Sequence, residues 1–188
     1  VIHRLDKPVG GVMVYAKTKS TAAALCRQVS SGKMGKVYKA VVCGEIVDNV
    51  ENFVDYLLKD SKSNVSKIVE KGTAGAKRAE LRYFVAGRIG KPEVLTLVEI
   101  ELSTGRHHQI RVQMAHIGCA LMGDMKYGQN EIAKKEIRSR DPRGTEVKKY
   151  MKSNGASGLA LCAYYLELEH PDTKKRQCYV TMPENPFF

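Results

Sequence analysis

The alternation Val94, Thr96, Val98, Ile100, Leu102 constrains this chain more than any other feature. Successive side chains of a strand point to opposite faces, so these residues line one face of a sheet. Ala79 to Ala86 is similarly β-rich, and the loop from Gly87 to Pro92 separates the two, so they are expected to pair. Short strands are also expected at Gly11 to Tyr15, Val37 to Cys43, Phe53 to Leu58, Val65 to Val69, Leu159 to Leu168 and Gln177 to Met182, with a turn at His170-Pro171-Asp172 before the last. Ala22, Leu25, Cys26 and Val29 recur at helical spacing and predict a helix over 20–30, capped by Ser20 and stopped at Gly32. A second helix is predicted from His107 to Ile117, with Ile110, Met114 and Ile117 inward and Gly118 as its stop. Residues 131–153 are polar and basic and read as a surface helix–loop–helix. No βαβ alternation with a glycine fingerprint occurs, which argues against a dinucleotide-binding fold. The fold class expected is α+β, dominated by an antiparallel or mixed sheet.

The chain is long enough for one domain with a sizeable core, or for a catalytic domain of two small lobes. Its 31 Lys and Arg against 20 Asp and Glu give a net charge of +11, a field that favours a polyanion, most commonly nucleic acid. The five cysteines are scattered without a C-x-x-C pair or zinc spacing, so reduced, buried thiols and a cytoplasmic location are expected. No apolar run is long enough to span a membrane, and no signal-peptide pattern is present.

Three stretches carry candidate chemistry. The first is His3-Arg4-Leu5-Asp6-Lys7-Pro8, where cationic neighbours should keep the Asp6 carboxylate ionised and able to act as nucleophile or base. Asp-x-Pro is also an ordinary turn opener. The second is Lys36-Val37-Tyr38-Lys39-Ala40-Val41-Val42-Cys43-Gly44. The third is Thr104-Gly105-Arg106-His107-His108-Gln109-Ile110-Arg111, continuing to Gly123-Asp124-Met125-Lys126-Tyr127-Gly128. Together they resemble the RluA-type pseudouridine synthases, whose signatures are H-R-L-D, K-x-Y-x-A-x-V-x-G, T-G-R-x-H-Q-I-R and G-D-x-x-Y-G. The resemblance runs from residue 1 to about Pro183.

That resemblance implies the pseudouridine synthase fold, a mainly antiparallel mixed sheet flanked by helices around a central cleft. It implies an enzyme that isomerises chosen uridines in structured RNA, ribosomal RNA first and transfer RNA second. Nothing enters or leaves in that reaction, so neither cofactor nor metal is expected. Asp6 stands where the family has its catalytic aspartate, which either attacks the substrate or strips a sugar proton to give a glycal. Arg111 stands where an arginine holds that acid in an ion pair, and Tyr38 where a tyrosine stacks on the target base near the proton to be removed. Read alone, Tyr38 is as easily core packing and Arg111 a surface arginine over apolar neighbours. Arg4 and Arg106 are expected at the RNA. Lys33, Lys36 and Lys39 surround Tyr38 as basic contacts, and Lys134 to Lys152 form a second basic cluster. His108 and Gln109 are expected to brace the catalytic helix or touch RNA. Consecutive helical histidines diverge, and no third ligand has suitable spacing for a metal.

The chain departs from the family in carrying Val9-Gly10-Gly11 for x-T-S-G, Cys119-Ala120 where proline is common, and Cys162 for a frequent histidine. Residues 1–188 are expected to form one catalytic domain acting as a monomer, beginning after strands the family places before H-R-L-D. The competing reading is a catalytically silent basic RNA-binding module or an inactive fragment. A glycoside hydrolase is disfavoured, because such enzymes generally need two flanking carboxylates.

Overall fold

The computed structural model describes residues 1–46, 48–89, 94–128 and 158–181. Its centre is an eight-stranded sheet built from β1 (Gly10–Gly11), β2 (Gly35–Cys43), β3 (Val50–Asp60), β4 (Val65–Val69), β5 (Lys77–Ile89), β6 (Leu95–Leu102), β7 (Leu161–Glu169) and β8 (Arg176–Val180). The strand order is β1-β7-β2-β6-β5-β3-β4, with β8 also on β7. Among the described residues only the β1–β7 pairing is parallel, so the sheet is mixed and mainly antiparallel, as the alternating patterns require.

The alternation of β6 sets the layers. Thr96, Val98 and Ile100 are fully buried, facing Leu81 and Tyr83 of β5, Tyr38, Ala40 and Val42 of β2, and Leu161 and Ala163 of β7. Helix α2 (Gln109–His116) covers this face with Ile110 and Met114, and Leu5 and Val9 of the first segment pack against it. Helix α1 (Lys19–Ser30) seals the far end of the same face, where Leu25 meets Met34, Leu166 and Leu168. Burying one such aliphatic side chain stabilises the fold by about 1.5–3 kcal/mol.

Several local expectations are corrected. Of the strand expected over 11–15 only Gly11 is in a ladder: Val12 N–H still donates to the Ala163 carbonyl of β7, but Val14 N–H turns to His3. Thr18, not Ser20, caps α1, its hydroxyl accepting from Thr21 N–H at 3.1 Å. Gly32 ends α1 with φ +70°, its N–H bonding the Val29 carbonyl while Lys33 N–H reaches Gln28. The same device at Gly118 ends α2, leaving Ile117 as the cap residue, 39% exposed rather than inward. Cys119 and Cys162 are buried as expected, but Cys26, Cys43 and Cys178 are exposed. No described helix is long and apolar enough to cross a membrane. The helix–loop–helix expected over 131–153, with its basic cluster, lies outside the described residues.

Candidate active site

Asp6 reaches the sheet through a turn and a short parallel strand. Val9 N–H donates to the Asp6 carbonyl at 2.8 Å, closing the turn over Lys7 and Pro8. Gly10 and Gly11 then register with Cys162 and Ala163. Gly11 has φ +126°, and a Cβ there would lie 2.2 Å from the Ala163 carbonyl oxygen, so only glycine lets this backbone come so close.

Arg111 comes from α2 and is 6% exposed. Its Nε and Nη2 donate to the two carboxylate oxygens of Asp124, both at 2.7 Å, and its Nη1 donates to Asp6 Oδ2 at 3.3 Å. The fork thus holds one carboxylate in two bonds and offers its remaining edge to another. Burial pushes the Asp124 carboxyl up, yet the Arg111 bonds and charge and the N–H groups of Lys126 and Tyr127 outweigh it and hold it below the usual range. Burial alone would weaken the Arg111 guanidinium as an acid-stable cation, but Asp124 and Asp6 hold its proton more tightly than usual. Among the described residues the partners of Asp6 are therefore Arg111, 105 positions further along, and His108, and not its neighbours Arg4 and Lys7.

The T-G-R segment fixes the entry to α2. Gln109 is 3% exposed and its amide is engaged at both ends. Its oxygen accepts from the Thr104 hydroxyl at 2.8 Å and from Arg106 N–H at 3.0 Å, while its nitrogen donates to the Glu80 carbonyl at 3.0 Å. Gln109 is thus placed as a brace. His108 has a left-handed backbone, φ 53°, which breaks the expected divergence of the two histidines: their rings stack at 3.8 Å. His107 Nδ1 lies 2.9 Å from the Ser66 hydroxyl, and His108 Nδ1 lies 2.7 Å from the Tyr127 hydroxyl, which also accepts from Ser66 N–H. Burial and the charges of Arg111, His107 and Lys126 lower His108 to about 4 against the opposing pull of Asp6, so its ring is neutral at neutral pH. The tautomer in which Nδ1 accepts from Tyr127 carries its ring proton on Nε2, 3.6 Å from Asp6 Oδ2.

Tyr38 faces the same layer as these groups, beside a bulge at which β7 carries Tyr164 unmatched in the ladder. It is 8% exposed, and burial, then the Asp6 charge, raise its phenol to about 12. The lysines expected around it divide. Lys36 shares its face, whereas Lys39 points to the opposite one, 3.7 Å from Glu99 and over the Tyr164 ring. Lys33 lies past α1, in a groove it shares with Arg27, Lys174 and Arg176. Arg106 is exposed with its Nε on the Arg78 carbonyl at 2.8 Å, and Arg4 is exposed. Asp124, Tyr127 and Ser66 complete the site. The G-D-x-x-Y-G motif signals the first two, while nothing in the sequence marks Ser66, which arrives from β4.

A sheet with this layering and a carboxylate clamped over its centre belongs to a known class. Human RNA Pseudouridylate Synthase Domain Containing 1 superposes with a TM-score of 0.71 at 22% identity, covering 100% of this chain and 69% of that one, which establishes the shared fold. The family model described as RNA pseudouridylate synthase matches residues 1–116. Ribosomal large subunit pseudouridine synthase D of Pseudomonas aeruginosa is 30% identical over 98% of this chain and 53% of its own length. The enzyme of the same name from Zymomonas mobilis is 35% identical over 71% of this chain and 40% of its own. tRNA pseudouridine synthase C of Pectobacterium carotovorum is 30% identical over 90% of this chain and 43% of its own. The chain belongs to the RNA pseudouridylate synthase family, in its RluA-type branch. It spans about half the length of these curated relatives or less.

Proposed function

We propose that this chain is the catalytic part of an RNA pseudouridine synthase that converts uridine in structured RNA to pseudouridine. The observation that carries the reading is the clamp on Asp6: an arginine locked by a second, fully buried carboxylate presents one free edge to the reacting one. Relatives named for ribosomal and for transfer RNA support RNA as the substrate, with ribosomal RNA the first candidate. The basic charge fits a polyanion.

The reaction breaks the bond from the sugar to uracil N1 and remakes it to C5. Asp6 acts at the sugar, by covalent attack or by removing a proton to give a glycal, and Arg111 keeps it aimed during either route. Tyr38 supplies a ring against the detached uracil and a hydroxyl near the proton to be lost from C5. Stacking on one base is worth about 1–3 kcal/mol, similar to the few kcal/mol that extruding it costs. Arg4, Lys36 and Arg106 meet the RNA backbone in this reading. The same reading makes the protein cytoplasmic, monomeric, and independent of metal and cofactor.

Tritium release from RNA labelled at uridine C5 tests it, comparing the chain with Asp6→Asn. Release by the parent alone is expected. Equal release by both would remove Asp6 from the chemistry, and release by neither, in the full-length protein as well, would leave an RNA-binding module.

A further inference from the structure

We propose that Lys36 and His3 form a subsite for one backbone phosphate of the RNA, beside the uridine held at Tyr38. This rests on the RNA reading above and assigns within it a specific anion to specific donors.

Lys36 and Tyr38 lie two residues apart on β2 and share a face, which separates their backbones by about 7 Å. The Lys36 ammonium nitrogen lies 3.7 Å from where a Cβ on Gly105 would stand, so it sits against the T-G-R turn at the mouth of the site. His3 belongs to the neighbouring segment: its partner Val14 packs on the cluster around Leu166, and Leu166 is the β7 partner of Lys36. Val14 N–H points at His3 Nε2 at 3.3 Å, so that nitrogen is the acceptor and the ring proton belongs on Nδ1. Burial and then the Lys36 charge keep His3 below the ordinary range, which makes it a neutral N–H donor beside an ammonium.

Among the described lysines and arginines only Lys36, Lys39 and Arg111 are not exposed, and of these three Lys36 alone lacks a counter-charge. Lys39 pairs with Glu99, Arg176 with Glu167, and Arg111 with two aspartates. Among the described residues no carboxylate pairs with Lys36, and its pKa is lowered by burial with nothing acting against it. A half-buried, uncompensated ammonium is unfavourable for the fold. Its place on the face of Tyr38 is explained by an anion that arrives with the substrate. Phosphate fits: it offers several acceptor oxygens to one ammonium and one imidazole N–H. A surface lysine would add affinity at any register of the RNA. Lys36, recessed next to Tyr38, would instead fix the target nucleotide in depth.

The test uses Lys36→Met, which keeps the apolar stem, and Lys36→Arg. RNA affinity is measured between 50 and 200 mM salt, and melting is followed with and without inorganic phosphate at constant ionic strength. Lys36→Met is expected to bind RNA roughly tenfold more weakly, with a salt slope smaller by about one, while melting no lower than the parent. Lys36→Arg should recover the slope. Parental affinity and slope in Lys36→Met, in a protein that still turns RNA over, would overturn the subsite and leave the RNA reading standing. A large drop in melting temperature would overturn it too, by making Lys36 a packing element. Phosphate-dependent stabilisation of the parent with an unchanged RNA slope would assign the subsite to free phosphate and not to RNA. A parent that binds no RNA would overturn the reading beneath.

Discussion

Arg111 binds Asp124 through two nitrogens at 2.7 Å and Asp6 through a third at 3.3 Å, and that inequality divides the labour between the two carboxylates. The Asp124 side chain is fully buried, whereas that of Asp6 is 26% exposed. One anchors the guanidinium. The other shares it with whatever enters the cleft.

The two acids should therefore fail differently. Removing one partner of a buried ion pair costs about 3–5 kcal/mol, because a charge is left without compensation. Asp124→Asn is expected to lose stability on that scale in urea unfolding and to lose turnover with it, as Arg111 is freed to re-aim. Asp6→Asn leaves Arg111 and Asp124 paired and should unfold within about 1 kcal/mol of the parent, while turnover disappears. Equal destabilisation by the two would contradict the division.

His108 gives a pH signature. Its neutral form is built into the fold, with a native value of about 4 against 6.5 for an unperturbed histidine. As pH falls through 6.5 the unfolded chain takes up a proton that the native ring refuses until about 4, so stability falls with pH in that window. His108→Gln lacks this contribution. The stability advantage of the parent over the variant should shrink by about 2 kcal/mol between pH 8 and pH 5, read from unfolding curves at each pH. An advantage that grew on acidification would mean that Asp6 holds His108 protonated.

Much of this was legible in the sequence because β6 alternates strictly and its buried partners follow by register. The motifs located Asp6, Tyr38 and Arg111 by family likeness, and the structure brings them to one layer. What the sequence concealed depended on backbone turns. A left-handed His108 stacks two histidines that a regular helix would have splayed. Strand period 2 separates Lys36 from Lys39, although both flank Tyr38 in sequence. Ser66 joins the site from 41 residues before its partner His107, and no local pattern announces a contact of that range.

Gly11 offers a test of how the first segment is held. Its Cβ-to-oxygen distance of 2.2 Å and its positive φ both oppose a side chain. Gly11→Ala should cost about 1–3 kcal/mol and draw β1 away from β7, carrying Asp6 off Arg111 and reducing turnover. Gly10→Ala is the control, since a Cβ there meets nothing within 4 Å. Its unfolding should stay within about 0.5 kcal/mol of the parent. Turnover that survived Gly11→Ala would show that the Asp6 turn holds itself without the β1 ladder.

Tyr38 combines packing with chemistry, and two substitutions separate them. Its ring belongs to the central cluster, so Tyr38→Ala should cost about 3–5 kcal/mol through the cavity it leaves. Tyr38→Phe keeps the ring and should unfold close to the parent. Its effect belongs to the proton. A phenol raised to about 12 stays protonated at every working pH, so the turnover profile should show no inflection from Tyr38 below pH 10. The neutral hydroxyl can take the proton leaving uracil C5 only as a relay, passing its own proton to a second acceptor in the same step; on that route Tyr38→Phe should slow tritium release by about 10²–10⁴ with RNA affinity little changed, since the ring still stacks. A parental rate in Tyr38→Phe would assign the proton to another group and leave Tyr38 as a platform for the base.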